Sequence, residues 1–443
     1  MSPAGSRWIK QFGNTISYNN SLMYGAGISV FDGEHNIEGN VITNNTAQGN
    51  GGGIYISGGN HTIINNTISE NIANEANGGG IYISRGTHTV KGNTITNNTC
   101  TGIYYWLDGS NLATRGGNGG GLYIYEASFT IEDNCIIGNT AINDRYSDGG
   151  GLYIWSGSGV VSNNTISENQ AGSGGGARLK PDGELIVTDN TITNNEAFGG
   201  FGGGLEVRGD KSFTVSVANN IISGNKAVGD AGGLYITEHS IRVAGNTISG
   251  NEAGADGGGL VIASGYHEVT DNVIVDNSAN GCGGGIYVHT YTAIVSNNKI
   301  SGNSAQGYVD PSYAAIGMTG GGGGIYIGIA ISVVVAENDI SENTSSGDGG
   351  GGIHVWNGQH RITDNTISHN VSTTNGGGIY CGTAEVRLYG NNLEYNSAES
   401  NGGAVWKHAG GLLADNLDRP LPIPDSYNTY TGNTPDDIYY HVQ

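Results

Sequence analysis

The sequence predicts an all-β fold: one right-handed parallel β-helix of about fourteen coils, with three short parallel sheets. Three observations predict it: an unusual composition, a repeat that carries the same two asparagines each time, and a hydrophobic period of two inside the repeat. The chain has 443 residues, 81 of them Gly, with 36% hydrophobic and 13% charged residues and a net charge of −22. A globular domain of this length is nearer half apolar and a quarter charged. Glycine does not fall at every third position and Pro numbers only 7, which excludes collagen. Gly and Ile/Val recur at fixed intervals, which argues against disorder. The acidic balance disfavours nucleic acid, whose phosphates need a basic footprint. The longest apolar run, Ile325 to Ala336, is too short to cross a bilayer. Nothing at the N-terminus reads as a signal peptide.

The repeat is clearest at Asn50–Ala73 (NGGGIYISGGNHTIINNTISENIA) and returns at Gly78–Cys100 and Gly257–Ala279. Its index residue is the Asn before Thr-Ile-Ser, found from Asn14, Asn40 and Asn66 through Asn365 and Asn391, most often at 26-residue intervals. A second Asn follows five residues later, from Asn19 to Asn396. Alternation within the unit gives three strands: Ile54-Tyr55-Ile56, a second ending at Ile63, and Thr67-Ile68-Ser69. Strands this short cannot bury a face alone, so the coils must stack. Parallel pairing at about 4.8 Å per coil makes a rod roughly 65–70 Å long, and right-handed winding follows from the crossover preference.

The turns fit. Before the index Asn stands Gly, Asn or Asp (Gly39, Asn65, Gly92, Asp133, Asn163), with Glu337 the exception; these residues tolerate the left-handed conformation of a tight corner. Stacked Asn side chains can form amide ladders. Glycine triplets allow close backbone approach into the first strand. Two insertions, at 101–118 and 306–319, fall in the same loop. The β-helix is expected over 13–416, with an N-terminal cap at 1–12 and a C-terminal cap at 417–443, where Pro420, Pro422 and Pro424 should stop further rungs.

Gly402-Gly403-Ala404-Val405, the Gly-Gly-Gly-Ile/Leu runs and Ile-Ser-x-Asn (Ile68–Asn71) resemble the surface-protein β-helix repeats typified by chlamydial polymorphic membrane proteins and related bacterial and archaeal adhesins. Those repeats carry G-G-A-[ILV] and F-x-x-N; here Ile replaces the Phe. The resemblance implies a secreted or cell-surface location and adhesive or structural work. β-Helices also include polysaccharide lyases and glycoside hydrolases, and fold alone does not choose between them.

The outward residues of the first strand form an expected surface row that includes Tyr55, Tyr82, Tyr123, Tyr153, Arg178, Glu206, Tyr287 and Tyr326. Two residues along runs a second row with Tyr125, Trp155, Lys180 and Arg208. Tyr123, Tyr125, Tyr153 and Trp155 could seat sugar rings while Arg178, Lys180 and Arg208 meet carboxylate or sulfate groups. Tyr105 and Trp106, in the first insertion, emerge beside the same coils. Against this stands the high strand propensity of Tyr. Lys180 and Arg208 are expected one rung apart, unfavourable unless an anion or Glu206 compensates. In a lyase, Lys180 or Arg178 would take the proton beside a uronate carboxylate and Arg208 would neutralise that carboxylate.

Other candidates read as structural. His35, His61 and His88 share a register with His267 and His360 and are expected to form a hydrogen-bonded inner stack. Asp148, Asp230 and Asp256 precede glycine-rich stretches and read as turn chemistry, because calcium needs six to eight converging oxygens. No cofactor is expected. Cys100, Cys135, Cys282 and Cys381 occupy four different registers and should be free thiols. The leading expectation is a non-enzymatic surface protein that binds a polysaccharide or another surface component; a lyase or hydrolase and a self-assembling filament subunit are the alternatives.

Overall fold

A computed structural model describes residues 9–107, 111–142, 147–209, 213–238, 240–309, 320–408, 412–414 and 427–440. They fall into two compact units, Met1–Ile221 (unit 1) and Ile222–Gln443 (unit 2). Every described element is a strand, a bridge or a turn, and no helix among them is long and apolar enough to cross a membrane.

Unit 1 shows how the repeat becomes a coil. Ile54–Ser57, Asn60–Ile64, Thr67–Ser69 and Ile72–Ala73 are successive strands. Each lies parallel to its counterpart in the next coil, with Ile54↔Ile81, Ile56↔Ile83, Ile63↔Val90, Ile68↔Ile95 and Ala73↔Cys100 in register. Three parallel sheets result, as expected, but their make-up differs. The first and second strands share one sheet, because in two coils they fuse into the continuous strands Leu122–Glu132 and Leu152–Ser162. The third sheet is built from the two-residue strand after the second Asn. Unit 2 repeats the plan: Ile262↔Val288, Ile274↔Ile300 and Ala279↔Ala305 are in register.

The period of two puts one aliphatic side chain per strand turn inside the coil. Ile54, Ile56, Ile63, Ile68 and Ala73 have no exposed surface. At the corners the asparagines form two amide ladders. In the first, Asn40 Nδ2 donates to Asn66 Oδ1 at 3.1 Å, and Asn66 Nδ2 donates to Asn93 Oδ1 at 3.0 Å. In the second, Asn45 Nδ2 donates to Asn71 Oδ1 at 3.0 Å. The backbone N–H of each rung donates to the same oxygen, as Asn66 N–H does to Asn93 Oδ1 at 2.9 Å. Buried amides would be costly unpaired, and here the neighbouring coil satisfies them. From Asn14 to Asn396 the residue before each ladder Asn is left-handed, including Asn65 (φ 54°), Glu70 (φ 56°) and Glu337 (φ 57°). The glycine triplet is a steric requirement: Gly51 has φ 74°, and a Cβ on Gly52 would lie 2.4 Å from the Gly79 carbonyl oxygen.

Ile9–Phe12, within the expected N-terminal cap, adds a rung to the long sheet, parallel to Glu34–Glu38. Two expectations need correction. Near the C-terminus the ladder does not stop at residue 416, before the prolines. Asn391 Nδ2 donates instead to Asn428 Oδ1 at 2.9 Å and Asn396 Nδ2 to Asn433 Oδ1 at 3.1 Å. Thr429–Thr431 then pairs with Asn392–Glu394 and Ile438–Tyr440 with Val405–Lys407 as a further rung, after a longer interval in the sequence.

The second correction concerns the first-strand row. Tyr55, Tyr82, Tyr123 and Tyr287 are 7–9% exposed, Tyr153 1%, and Tyr326 and Glu206 0%. The segments before the glycine triplets fold over this row, as Ala231 and Cys282 do where they pack with Val261, Tyr287, Tyr326 and Trp356 in unit 2. Alternation identified the face outside the coil correctly; it carried no information about what covers that face.

Candidate functional site

In unit 1 the fused strands align the patch that the sequence singled out. Tyr123↔Tyr153 and Tyr125↔Trp155 are register partners, followed by Tyr153↔Arg178, Trp155↔Lys180 and Arg178↔Glu206. The structure brings these residues together and then divides them. Tyr55, Tyr82, Tyr123 and Tyr153 form one buried cluster with Tyr125 packed at its margin. Ring centroids lie 5.3 Å apart for Tyr55–Tyr82, 5.2 Å for Tyr82–Tyr123 and 5.3 Å for Tyr123–Tyr153. Burial pushes the Tyr82 hydroxyl up to about 12 and raises Tyr123 and Tyr153 further still. Tyr123 and Tyr153 therefore cannot offer ring faces to a ligand. They support the neighbours that can.

The arginines are also committed inward. Glu206 is fully buried between two guanidinium groups, with Arg178 Nε 3.0 Å from Oε2 and Arg208 Nε 2.9 Å from Oε1. Arg178 Nη1 also pairs with Asp148. Burial raises the Glu206 and Asp148 carboxyls, and the arginine charges act the other way. Burial disfavours the Arg178 cation, but Glu206 and Asp148 outweigh it and hold its pKa above the ordinary value. Arg178 is thus unsuited to the base role considered for a lyase. Arg208 turns toward Glu206, which resolves the expected clash with Lys180. Asp148, read from the sequence as a turn residue, is the member of this network that was missed. The available signal was an acid placed one coil before an arginine in the covered row.

Trp155 and Lys180 remain at the surface. Trp155 is 41% exposed, edge-on to Tyr153 at 6.1 Å and 67°. Lys180 Nζ stands 4.3 Å from the Trp155 ring centroid and makes no ion pair among the described residues. Tyr125 is half-buried beside them. The first insertion extends the strand Thr99–Leu107 beyond its coil and folds it back, antiparallel, on Asn111–Gly116, with Tyr105↔Ala113 and Trp106↔Leu112 in register. The side chains of Tyr105 and Trp106 lie outside the described residues, as does most of the 306–319 insertion.

The histidine register is an inner stack, as the repeat implied. His35–His61 and His61–His88 centroids lie 5.1 and 5.3 Å apart. The His61 Nδ1 accepts the His35 backbone N–H at 3.2 Å, and its Nε2 bonds the Gly58 carbonyl at 2.8 Å. Burial lowers His61 to about 4. Among the described residues no group of His, Cys, Asp and Glu is arranged to hold a metal. All four cysteines are free; Cys135 is exposed and the other three are buried.

A family model described as the right-handed β-helix region matches residues 13–117, 114–274 and 232–417. No curated protein and no solved structure matches the chain.

Proposed function

The chain belongs to the right-handed β-helix family, and from that premise we propose that it is a secreted or cell-surface β-helix protein that binds an acidic glycan. In this reading it resembles the polymorphic membrane proteins and adhesins in kind of work as well as in repeat. The observation that carries the proposal is the exposed Trp155 ring with the Lys180 ammonium 4.3 Å from its centroid. Arg178 and Arg208 are spent on the buried Glu206, but this cation stands at the surface beside an aromatic ring. A sugar ring meets Trp155 and the half-buried Tyr125 through its C–H face, and the glycan carboxylate or sulfate meets Lys180. The buried tyrosines and the Asp148–Arg178–Glu206–Arg208 network hold the patch rigid.

The test is titration of polygalacturonate and of a sulfated polysaccharide against the native protein and a Trp155→Ala/Lys180→Ala variant. We expect salt-sensitive binding that the double substitution weakens at least tenfold without release of reducing ends or unsaturated products. Equal binding by both proteins would refute the patch. Product formation would overturn the non-catalytic reading.

A further inference from the structure

Unit 2 contains a cleft of about 360 Å³ at the turn between the first and second strands of successive coils. Its walls are apolar and open to solvent: Tyr291 is 58%, Ile329 38% and Ile331 64% exposed. Tyr266 extends the aromatic wall, 63% exposed and stacked on Tyr291 at 6.4 Å and 28°. The local sequence explains the shape. One coil turns through Thr290-Tyr291, the next through Gly328-Ile329-Ala330-Ile331, and the Ile331 and Ser332 N–H groups both donate to the Tyr291 carbonyl, at 3.2 and 3.1 Å. That bulge pushes two isoleucines outward, where regular coils have short Gly-rich turns.

The polar groups in the cleft are few and neutral. His289 sits half-buried against the edge of Tyr287, with centroids 6.4 Å apart. Burial lowers its pKa, so the imidazole is uncharged at neutral pH, with one nitrogen donating and the other accepting. Neither ring nitrogen of His289 nor the side-chain amide of Asn357 has a protein hydrogen-bond partner among the described residues. The lining carries no Lys, Arg, Asp or Glu. An anion finds no cation here and a cation finds no carboxylate. A purely apolar ligand would strand the imidazole and the amide.

We propose that this cleft is a binding site for a neutral sugar ring, whose C–H face packs on Tyr291 and Ile331 and whose hydroxyls bond His289 and Asn357. The volume lies at the lower end of the range for small-ligand pockets. A pyranose has the required division into an apolar face and a rim of groups that both donate and accept. The site is separate from the Trp155–Lys180 patch and does not depend on the acidic-glycan reading.

The experiment is calorimetric titration of the full chain with cellohexaose, mannohexaose and chitohexaose. The native protein is compared with Tyr291→Ala, Asn357→Ala, Trp155→Ala and, as a control at an exposed unit 1 side chain outside both proposed sites, Ile186→Ala. Binding of at least one of the three, weakened tenfold or more by Tyr291→Ala and by Asn357→Ala and unchanged by Ile186→Ala, is the expected result. Both cleft substitutions are at solvent-accessible side chains, so thermal midpoints should stay near that of the native protein. No heat with any of the three sugars, or binding that survives both cleft substitutions, overturns the proposal. Loss of neutral-sugar binding only in Trp155→Ala overturns it as well, and moves neutral-sugar binding to the unit 1 patch.

Discussion

Asp148 in unit 1 and Asp256 in unit 2 hold the same place in the repeat, just before a glycine triplet, yet they meet opposite surroundings. Asp148 faces Arg178, which also reaches the buried Glu206. Asp256 lies over another acid. Its backbone N–H donates to Asp230 Oδ1 at 3.1 Å, and its own Oδ1 accepts the Cys282 N–H at 2.7 Å. Burial raises both carboxyls, but Asp230 adds to the rise at Asp256 and brings it to about 7, whereas Arg178 opposes it at Asp148. The deciding residue is the one that the next coil places in the covered row: Arg178 in one case, Tyr287 in the other. One repeat position is therefore either part of an ion network or a proton-binding site, depending on a neighbour about one coil away.

The largest effect should come from breaking the compensated side of this comparison. Glu206→Gln leaves Arg178 and Arg208 facing an amide in a site with no exposed surface at residue 206. Removing one partner of a buried ion pair costs about 3–5 kcal/mol. Hydrogen exchange across Ala177–Lys180 and Leu205–Arg208 should accelerate accordingly, while unit 2 keeps its protection. A loss below about 1 kcal/mol, the level of a surface pair, would mean that water already shares these charges.

The uncompensated side should respond with the opposite sign. Asn fills this position in other coils, where it makes the same contact: Asn77 N–H donates to Asn50 Oδ1 at 2.9 Å, and Asn118 N–H to Asn77 Oδ1 at 3.1 Å. Asp256→Asn keeps that acceptor and removes the charge. The folded protein binds the Asp256 proton more tightly than the unfolded chain does. The stability this contributes is complete below the ordinary aspartate range and is lost as pH rises through about 7. At pH 8 the variant should exceed the native protein by a few kcal/mol, since a tenfold tighter hold on the proton corresponds to about 1.4 kcal/mol, and the difference should shrink below about pH 7 and close only near the ordinary aspartate range, about pH 4. Comparing variant with native at each pH cancels His354 and His360, whose lowered values act in the other direction. A variant less stable than the native protein at pH 8 would show that the carboxylate is better solvated than the geometry implies.

The fold was legible because its determinants are periodic. The ladder asparagines, the left-handed corners and the glycine triplets each follow from one repeat read against itself. Tyr153, Arg178 and Glu206 were legible as neighbours, since register follows from the same period. Their burial was not. It depends on the segments before the triplets, which vary in length and composition, and whose path over the row has no period. The same limit explains the final rung: Asn428 and Asn433 carry the repeat spacing, but a 37-residue interval from Asn391 hid them. The unit 2 cleft was missed for a related reason, because Ile329 and Ile331 belong to a bulge that departs from the repeat.

The smallest expected effect compares unit 1 with unit 2 again, through histidine in place of aspartate. His61 is nearly fully buried, accepts the His35 backbone N–H through Nδ1 and bonds the Gly58 carbonyl through Nε2. Protonation would turn that acceptor into a donor facing a donor, so burial and geometry together hold the ring neutral down to about 4. For a histidine with a lowered value the linkage runs opposite to Asp256. Its contribution is complete above about 6.5 and is lost as pH falls through about 4, at roughly 1.4 kcal/mol per pH unit. At neutral pH this contribution is complete and no longer varies with pH, so the effect is read only in acid, which makes it the weakest of the three. An NMR titration should show the His61 ring still neutral at pH 5.5. Protection of the Asn60–Ile64 amides should fall as pH drops below about 6.5 and level off below about 4, and a His61→Phe variant should lack that acid limb. A His61 ring that titrates near 6.5 would show that the inner stack is open to water, and the electrostatic contrast between the two units would then rest on their aspartates alone.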